Sequence, residues 1–352
     1  MLETIPVRAD ERFAVAPVAR FLRESGVIDV DLEADALEVE QFPAGHSNLT
    51  YLLRAARWEA VLRRPPLGPV APRAHDMVRE YRLLARLHPV FPLAPRPFAV
   101  CEDSALIGAP FYVMERRHGL VLDQELPPGW RPDPALHRAI TESLVRVLVD
   151  LHAVDWQAAG LGDIGHPDGY LERQVSGWLE RYRRARTADL PELEPLAAWL
   201  VTERPASPPP TVIHNDFKLN NVLLDPVDPR RLTAVLDWEM ATVGDPLSDL
   251  ASLLVYWTAP GEADLMGGLT SVTAEAGFPP RDELAELYAR FSGRDLTGLD
   301  YYVAFAYFKV GVICQQIYVR WHNGQTKDER FAGHGATANN LIRQAARVAG
   351  LS

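Results

Sequence analysis

Cysteine is almost missing: Cys101 and Cys314 are the only two in 352 residues. That number excludes a disulfide framework and a thiolate metal site, and it points to a reducing, cytosolic setting. The opening MLETIPVRADERF carries charges where a signal peptide needs a long apolar run, and the most apolar later run, YYVAFAYFKVGVIC (301–314), is broken by Lys309. A soluble cytoplasmic protein with no membrane partner is expected. Basic charge is also short, with 36 Lys and Arg against 47 Asp and Glu and a net charge of -11. This balance disfavours a nucleic-acid partner and favours a small-molecule one. Lysine is scarcest, standing only at positions 218, 309 and 327, so Lys218 inside the polar stretch described below draws notice.

What is present is a folded composition, 47% apolar and 24% charged, long enough for two moderate domains. Residues 36–63 alternate apolar segments with turn residues and predict an antiparallel meander that opens the protein. HDMVREYRLLARLH (75–88) repeats Met77, Tyr81, Leu84 and Leu87 at helical spacing, with Glu80 beside the stripe. Two strands, FAVCED and PFYVMER, follow. Beyond 133 the signals turn helical: ALHRAITESLVRVLVDLHAV, GYLERQVSGWLERYRRART and ELEPLAAWLVTE. The expected fold is α+β in two lobes, 1–116 and 117–352, with a cleft between them. No internal repeat is visible.

The chemistry sits in VIHNDFKLNNVLLD (212–225), followed by a Pro/Asp turn and VLDW. A hairpin about that turn would bring Asn221 and Asp237 to one open end, with Asp216 close by. Three oxygen-bearing side chains in that arrangement suit Mg²⁺, which takes a few protein oxygens plus water and substrate phosphates. Turn and cap chemistry alone is the blander account of the same residues. GDPLSDLASLL predicts a helix capped by Asp245 with Pro246 in its first turn.

VIHNDFKLNNVLLD together with VLDWEMATVGDPLSDLA resembles the aminoglycoside phosphotransferase and choline kinase-like family, in particular the branch similar to kinase-like domains joined to some acyl-CoA dehydrogenases. The resemblance runs from about FPAGHSNLTYLL to the end of the chain. It implies a two-lobed protein kinase-like fold and a phosphotransferase that moves the γ-phosphate of ATP or GTP, with Mg²⁺, to a hydroxyl of a small molecule. On that likeness Asp216 would be the catalytic base and Lys218 would offset charge on the transferring phosphoryl group. Asn221 and Asp237 would hold the metal. His214, Asp245 and Asp249 would be support residues, Asp249 bracing the catalytic loop.

Gly45 and Ser47 would face the nucleotide phosphates, although this loop has a single glycine and falls short of a glycine-rich pattern. Arg63 stands where the family pattern expects lysine, with Glu80 as its ion-pair partner; arginine keeps the charge and can grip phosphate bidentately. Met114 would line the base pocket, with main-chain groups near Glu115 and Arg117 at the purine edge. The basic side of 169–187, with Arg173, Arg181, Arg184 and Trp178, admits an anionic acceptor, though solvated charge explains it as well. The rival readings are a nucleotide-binding pseudokinase or ligand-binding module, and a metal-dependent hydrolase using His214 and Asp216. The acceptor, the preferred purine and the oligomeric state stay open.

Overall fold

The computed structural model describes residues 3–28, 37–43, 48–67, 75–326 and 328–351. Gly45 and Ser47 lie outside them.

In chain order the strands and helices begin with β1 (Ile5–Pro6), α1 (Val15–Glu24), β2 (Glu38–Gln41), β3 (Leu49–Ala55), β4 (Trp58–Arg64) and α2 (Met77–Leu87). Then come β5 (Pro97–Cys101), β6 (Phe111–Glu115), α3 (Pro134–His152), α4 (Tyr170–Ala185), α5 (Leu193–Thr202), β7 (Thr211–Ile213), β8 (Val222–Leu224), β9 (Leu232–Val235) and β10 (Thr242–Gly244). The chain ends with α6 (Pro246–Tyr256), α7 (Ala263–Met266), α8 (Arg281–Ser292), α9 (Leu299–His322) and α10 (His334–Val348).

Contacts divide the chain into two units, one of Met1–His118 with Thr233–Glu239, the other of Gly119–Leu232 with Met240–Ser352. The first unit is a six-stranded antiparallel sheet in the order β1-β2-β3-β4-β6-β5. Its apolar core joins Val18, Ala19 and Leu22 of α1 to Tyr51, Leu53, Leu62, Phe111 and Val113 of the sheet. The predicted meander is present, but β1 and α1 precede it. The expected divide at 116/117 is also incomplete, because 233–239 belongs with the first unit. Three contacts carry that segment there: Val235 N–H donates to the Leu93 carbonyl at 2.9 Å, the Thr233 hydroxyl to the His118 carbonyl at 3.1 Å, and Trp238 meets Phe91 edge-on.

α2 is capped by Asp76, whose side chain accepts from the Arg79 N–H at 2.9 Å. Its buried face is Met77, Glu80, Leu83, Leu84 and Leu87, while Tyr81 is only half-buried. Glu80 therefore lies on the apolar stripe and not beside it. A carboxylate is tolerated there because a cation is waiting for it.

The second unit is mainly helical around α9, against which α4, α6 and α10 pack. This helix has the length and composition to cross a membrane, yet 67% of its most apolar window is buried inside the protein, as in a core helix. α6 starts as its sequence predicts: Asp245 accepts from the Leu247 N–H at 3.0 Å with Pro246 behind it, and the Tyr302 hydroxyl donates to the other carboxylate oxygen at 2.8 Å.

Candidate functional site

In the second unit, β7 ends at Ile213 and the chain enters a loop whose shape rests on Asp249 in the first turn of α6. The backbone N–H groups of His214 and Asn215 both donate to the Asp249 carboxylate, the first at 2.5 Å, and His152 Nε2 donates to it at 3.3 Å. Burial opposes the charge on Asp249, but the hydrogen bond and charge of His152, with the His214 amide, hold its pKa below the usual carboxylate value. His152 also bonds the Tyr288 hydroxyl at 2.7 Å. His214 is fully buried, and its Nδ1 accepts from the Asp216 N–H at 3.3 Å.

The loop delivers three polar side chains to one place. Lys218 Nζ lies 3.1 Å from Asp216 Oδ2. The Asn221 amide nitrogen donates to the same Oδ2 at 2.8 Å and to the Asp216 carbonyl at 2.9 Å. Both of those bonds use the nitrogen, which leaves the Asn221 side-chain oxygen as its acceptor face. Lys218 also sits 4.5 Å above the Tyr256 ring, which fixes the ammonium from a second side.

In the first unit, Arg63 of β4 is buried and surrounded by acid. Its guanidinium donates to Glu80 Oε1 at 2.5 Å and to Asp237 Oδ1 at 2.9 Å, and it lies 3.5 Å from Glu239 Oε2. The Tyr112 hydroxyl donates to the same Glu80 oxygen at 2.7 Å. Burial alone would weaken the arginine's charge, but Glu80, Tyr112, Asp237 and Glu239 outweigh it and hold the guanidinium protonated. Burial pushes the Glu80 carboxyl up and Arg63 draws it back; the contact at 2.5 Å fits the charged pair. Arg63 Nε and Glu80 Oε2 are buried without a hydrogen-bond partner.

Asp237 adopts the left-handed conformation with φ 64°, as Asn215 does with φ 66°. Side chains other than glycine adopt it seldom, Asp and Asn most readily, and a residue held there points to a functional constraint. Glu239 accepts from Asn48 Nδ2 at 2.6 Å, and His75 Nδ1 bonds Asn48 Oδ1 at 2.8 Å.

Met114 is buried on β6. Glu115 is engaged with Arg96, donating its N–H to that residue's carbonyl at 2.7 Å and accepting its N–H at 3.1 Å. Arg117 bonds the Pro92 carbonyl at 2.6 Å and pairs with Glu115 at 2.9 Å.

The structure thus groups Asp216, Lys218 and Asn221, with Asp249 and His214 beneath them, and separately Arg63, Glu80 and Asp237. Sequence reading missed Glu239, Tyr112, Asn48, His152 and Asn215. Asn215, between His214 and Asp216, and Glu239, two residues after Asp237, carried a local signal; the others did not.

Among the described residues no group of three or more His, Cys, Asp or Glu is placed to hold a metal. One carboxylate and one amide oxygen remain suited to a hard cation that takes most of its ligands from water and phosphate. The Asp237 carboxylate of the first unit and the Asn221 side-chain oxygen of the second are each, taken singly, oxygen donors of that kind.

The pairing of Arg63 with Glu80 gives a first test. Arg63→Ala strands a buried carboxylate and should cost about 3–5 kcal/mol in chemical denaturation. Arg63→Lys keeps one charged contact and should recover most of that stability. An alanine variant as stable as wild type would make Arg63 an ordinary sheet residue.

The family profile described as "Phosphotransferase enzyme family" matches residues 38–302. Mouse acyl-CoA dehydrogenase family member 10 is 36% identical over 88% of this chain, a region that makes up 29% of that protein. The chain spans 29% to 43% of the length of the curated relatives it matches. A solved structure from Ralstonia eutropha, provisionally assigned as an aminoglycoside phosphotransferase, is 32% identical with a TM-score of 0.79 and covers 96% of this chain and 99% of its own. A choline kinase from Cryptosporidium parvum, 14% identical with a TM-score of 0.59 over 93% of this chain and 96% of its own, shares the fold. With its α+β architecture in two units and this match across most of its length, the chain belongs to the phosphotransferase enzyme family and has a protein kinase-like fold.

Proposed function

We propose that the protein transfers the γ-phosphate of ATP or GTP to a hydroxyl of a small molecule, with Mg²⁺, in the cytoplasm. The observation that carries this is the Asp216 carboxylate, held 3.1 Å from the Lys218 ammonium and 2.8 Å from the Asn221 amide on a loop whose backbone is pinned by Asp249. A carboxylate so oriented can accept the proton of an incoming hydroxyl. Lys218 stands where it can offset charge on the phosphoryl group in transit. Asn221 and Asp237 would hold Mg²⁺, which supplies further neutralisation of phosphate charge when bound. Arg63, braced by Glu80, would grip phosphate oxygens; Met114 and the chain near Glu115 and Arg117 would meet the base. The phosphate-facing role of Gly45 and Ser47 falls outside the described residues. Catalysis of this kind is mostly positioning and electrostatics.

One observation favours a second reading, a nucleotide-binding module without efficient transfer: three carboxylates already occupy the surroundings of Arg63. A panel of alcohols offered with Mg²⁺ and ATP or GTP, read as nucleoside diphosphate release, separates the two. Transfer predicts that at least one alcohol raises release above the alcohol-free rate. Nucleotide binding with no alcohol-stimulated release from either nucleotide would establish the module.

A further inference from the structure

Lys309 interrupts the most apolar run of the sequence, and neither phosphate gripping nor base recognition uses it. It stands in the middle of α9, is 9% exposed, and its ammonium donates to the Asn215 carbonyl at 3.1 Å and lies 5.8 Å from the centre of the Trp178 ring. The charged groups facing it are Asp216 and Asp249, which favour its charge, and Arg181 and Lys218, which oppose it; burial pushes its pKa down.

Burying an ammonium is costly, and an apolar side chain of similar length would pack α9 at least as well. What lysine adds is a charged donor aimed at one backbone carbonyl. The recess beside it, lined by Tyr170, Gln174, Ser248, Tyr302 and Phe305, has room for about one water molecule, too little for a substrate group.

Asn215 is held on every polar group it has. Its N–H donates to Asp249, its side-chain nitrogen to the Met240 carbonyl at 3.1 Å, its side-chain oxygen accepts from the Tyr170 hydroxyl at 2.9 Å, and its carbonyl accepts from Lys309. A left-handed conformation outside glycine persists only when the surroundings fix it in this way. Asp216 is the next residue.

We propose that Lys309 is a positioning residue: by holding the Asn215 carbonyl it locks the left-handed turn that aims the Asp216 carboxylate. The placing of the ammonium on the loop is independent of the activity, whereas the effect on turnover rests on the reading of Asp216 as the base.

Two measurements on the full chain test it, with water as acceptor so that no alcohol need be known. Lys309→Met should melt no lower than wild type, yet amide exchange across 214–221 should speed about tenfold or more through local opening, while exchange elsewhere in the second unit is unchanged. Hydrolysis of ATP with Mg²⁺ should fall in kcat by about tenfold or more at unchanged nucleotide affinity, the scale of a misplaced catalytic group. Lys309→Arg, which keeps the charged donor, should recover most of both. Unchanged exchange at 214–221 in Lys309→Met would overturn the proposal, and so would a lower melting temperature with faster exchange throughout the unit. If exchange behaves as stated but Asp216→Asn keeps full turnover, the locking role stands and the assignment of the base fails.

Discussion

Asp216→Asn will lower turnover by about 10²-fold or more, the scale of lost general-base catalysis, while nucleotide affinity is retained. The substitution removes the proton acceptor and little else. Asparagine is the same size, and its oxygen can still accept from the Lys218 ammonium and the Asn221 amide that now hold the carboxylate at 3.1 and 2.8 Å. The loop itself hangs from Asp249 through the N–H groups of His214 and Asn215, and that attachment is untouched. Steady-state diphosphate release, with nucleotide affinity measured alongside, reads the effect. Turnover at the wild-type rate would show that the hydroxyl loses its proton elsewhere.

The second large effect is expected at Asp237. Replacement by Asn keeps a residue that tolerates the left-handed backbone at φ 64° and can still accept from Arg63, so the first unit should remain folded. The lost charge is the only formal negative charge in the ligand pair of Asn221 and Asp237. If that pair holds the metal, turnover should fall by about 10³-fold, since metal stabilisation of the transferring group is worth several kcal/mol and each 1.36 kcal/mol is tenfold. Turnover at saturating nucleotide over a range of Mg²⁺ concentrations checks this. A loss that high Mg²⁺ fully repairs still assigns Asp237 to the metal, whereas no change at any Mg²⁺ concentration removes it.

Much of this was legible in the sequence where the signal is local. The meander over 36–63 alternates, the cap of α6 is written in Asp245-Pro246, and the spacing from Asp216 to Asn221 is a single turn of loop. What stayed hidden depends on partners far along the chain. Helix α1 shows a short stripe of Val18, Ala19 and Leu22 after Pro17, too little periodicity to stand out until the sheet covers it. The pairing of Glu80 with Arg63 was expected, but the place of Glu80 on the buried stripe of α2, and not beside it, depends on that partner 17 residues away on another element. The passage of 233–239 into the first unit rests on contacts with Leu93, Phe91 and His118, none of them near in sequence. Lys309 looked like a flaw in an apolar helix because the carbonyl it serves lies 94 residues earlier.

If Asn221 and Asp237 hold Mg²⁺ as proposed, the metal and a nucleoside triphosphate should bind together. Calorimetric titration of nucleotide with and without Mg²⁺, in the wild type and in Asp237→Asn, tests it most directly. Metal and nucleotide that share ligands must tighten each other's binding by the same factor. The wild type should therefore bind nucleotide more tightly with Mg²⁺ by about 5- to 150-fold, the usual range of such coupling, and Asp237→Asn should lose that gain. A variant that keeps the full magnesium-dependent gain would place the metal elsewhere and contradict the account.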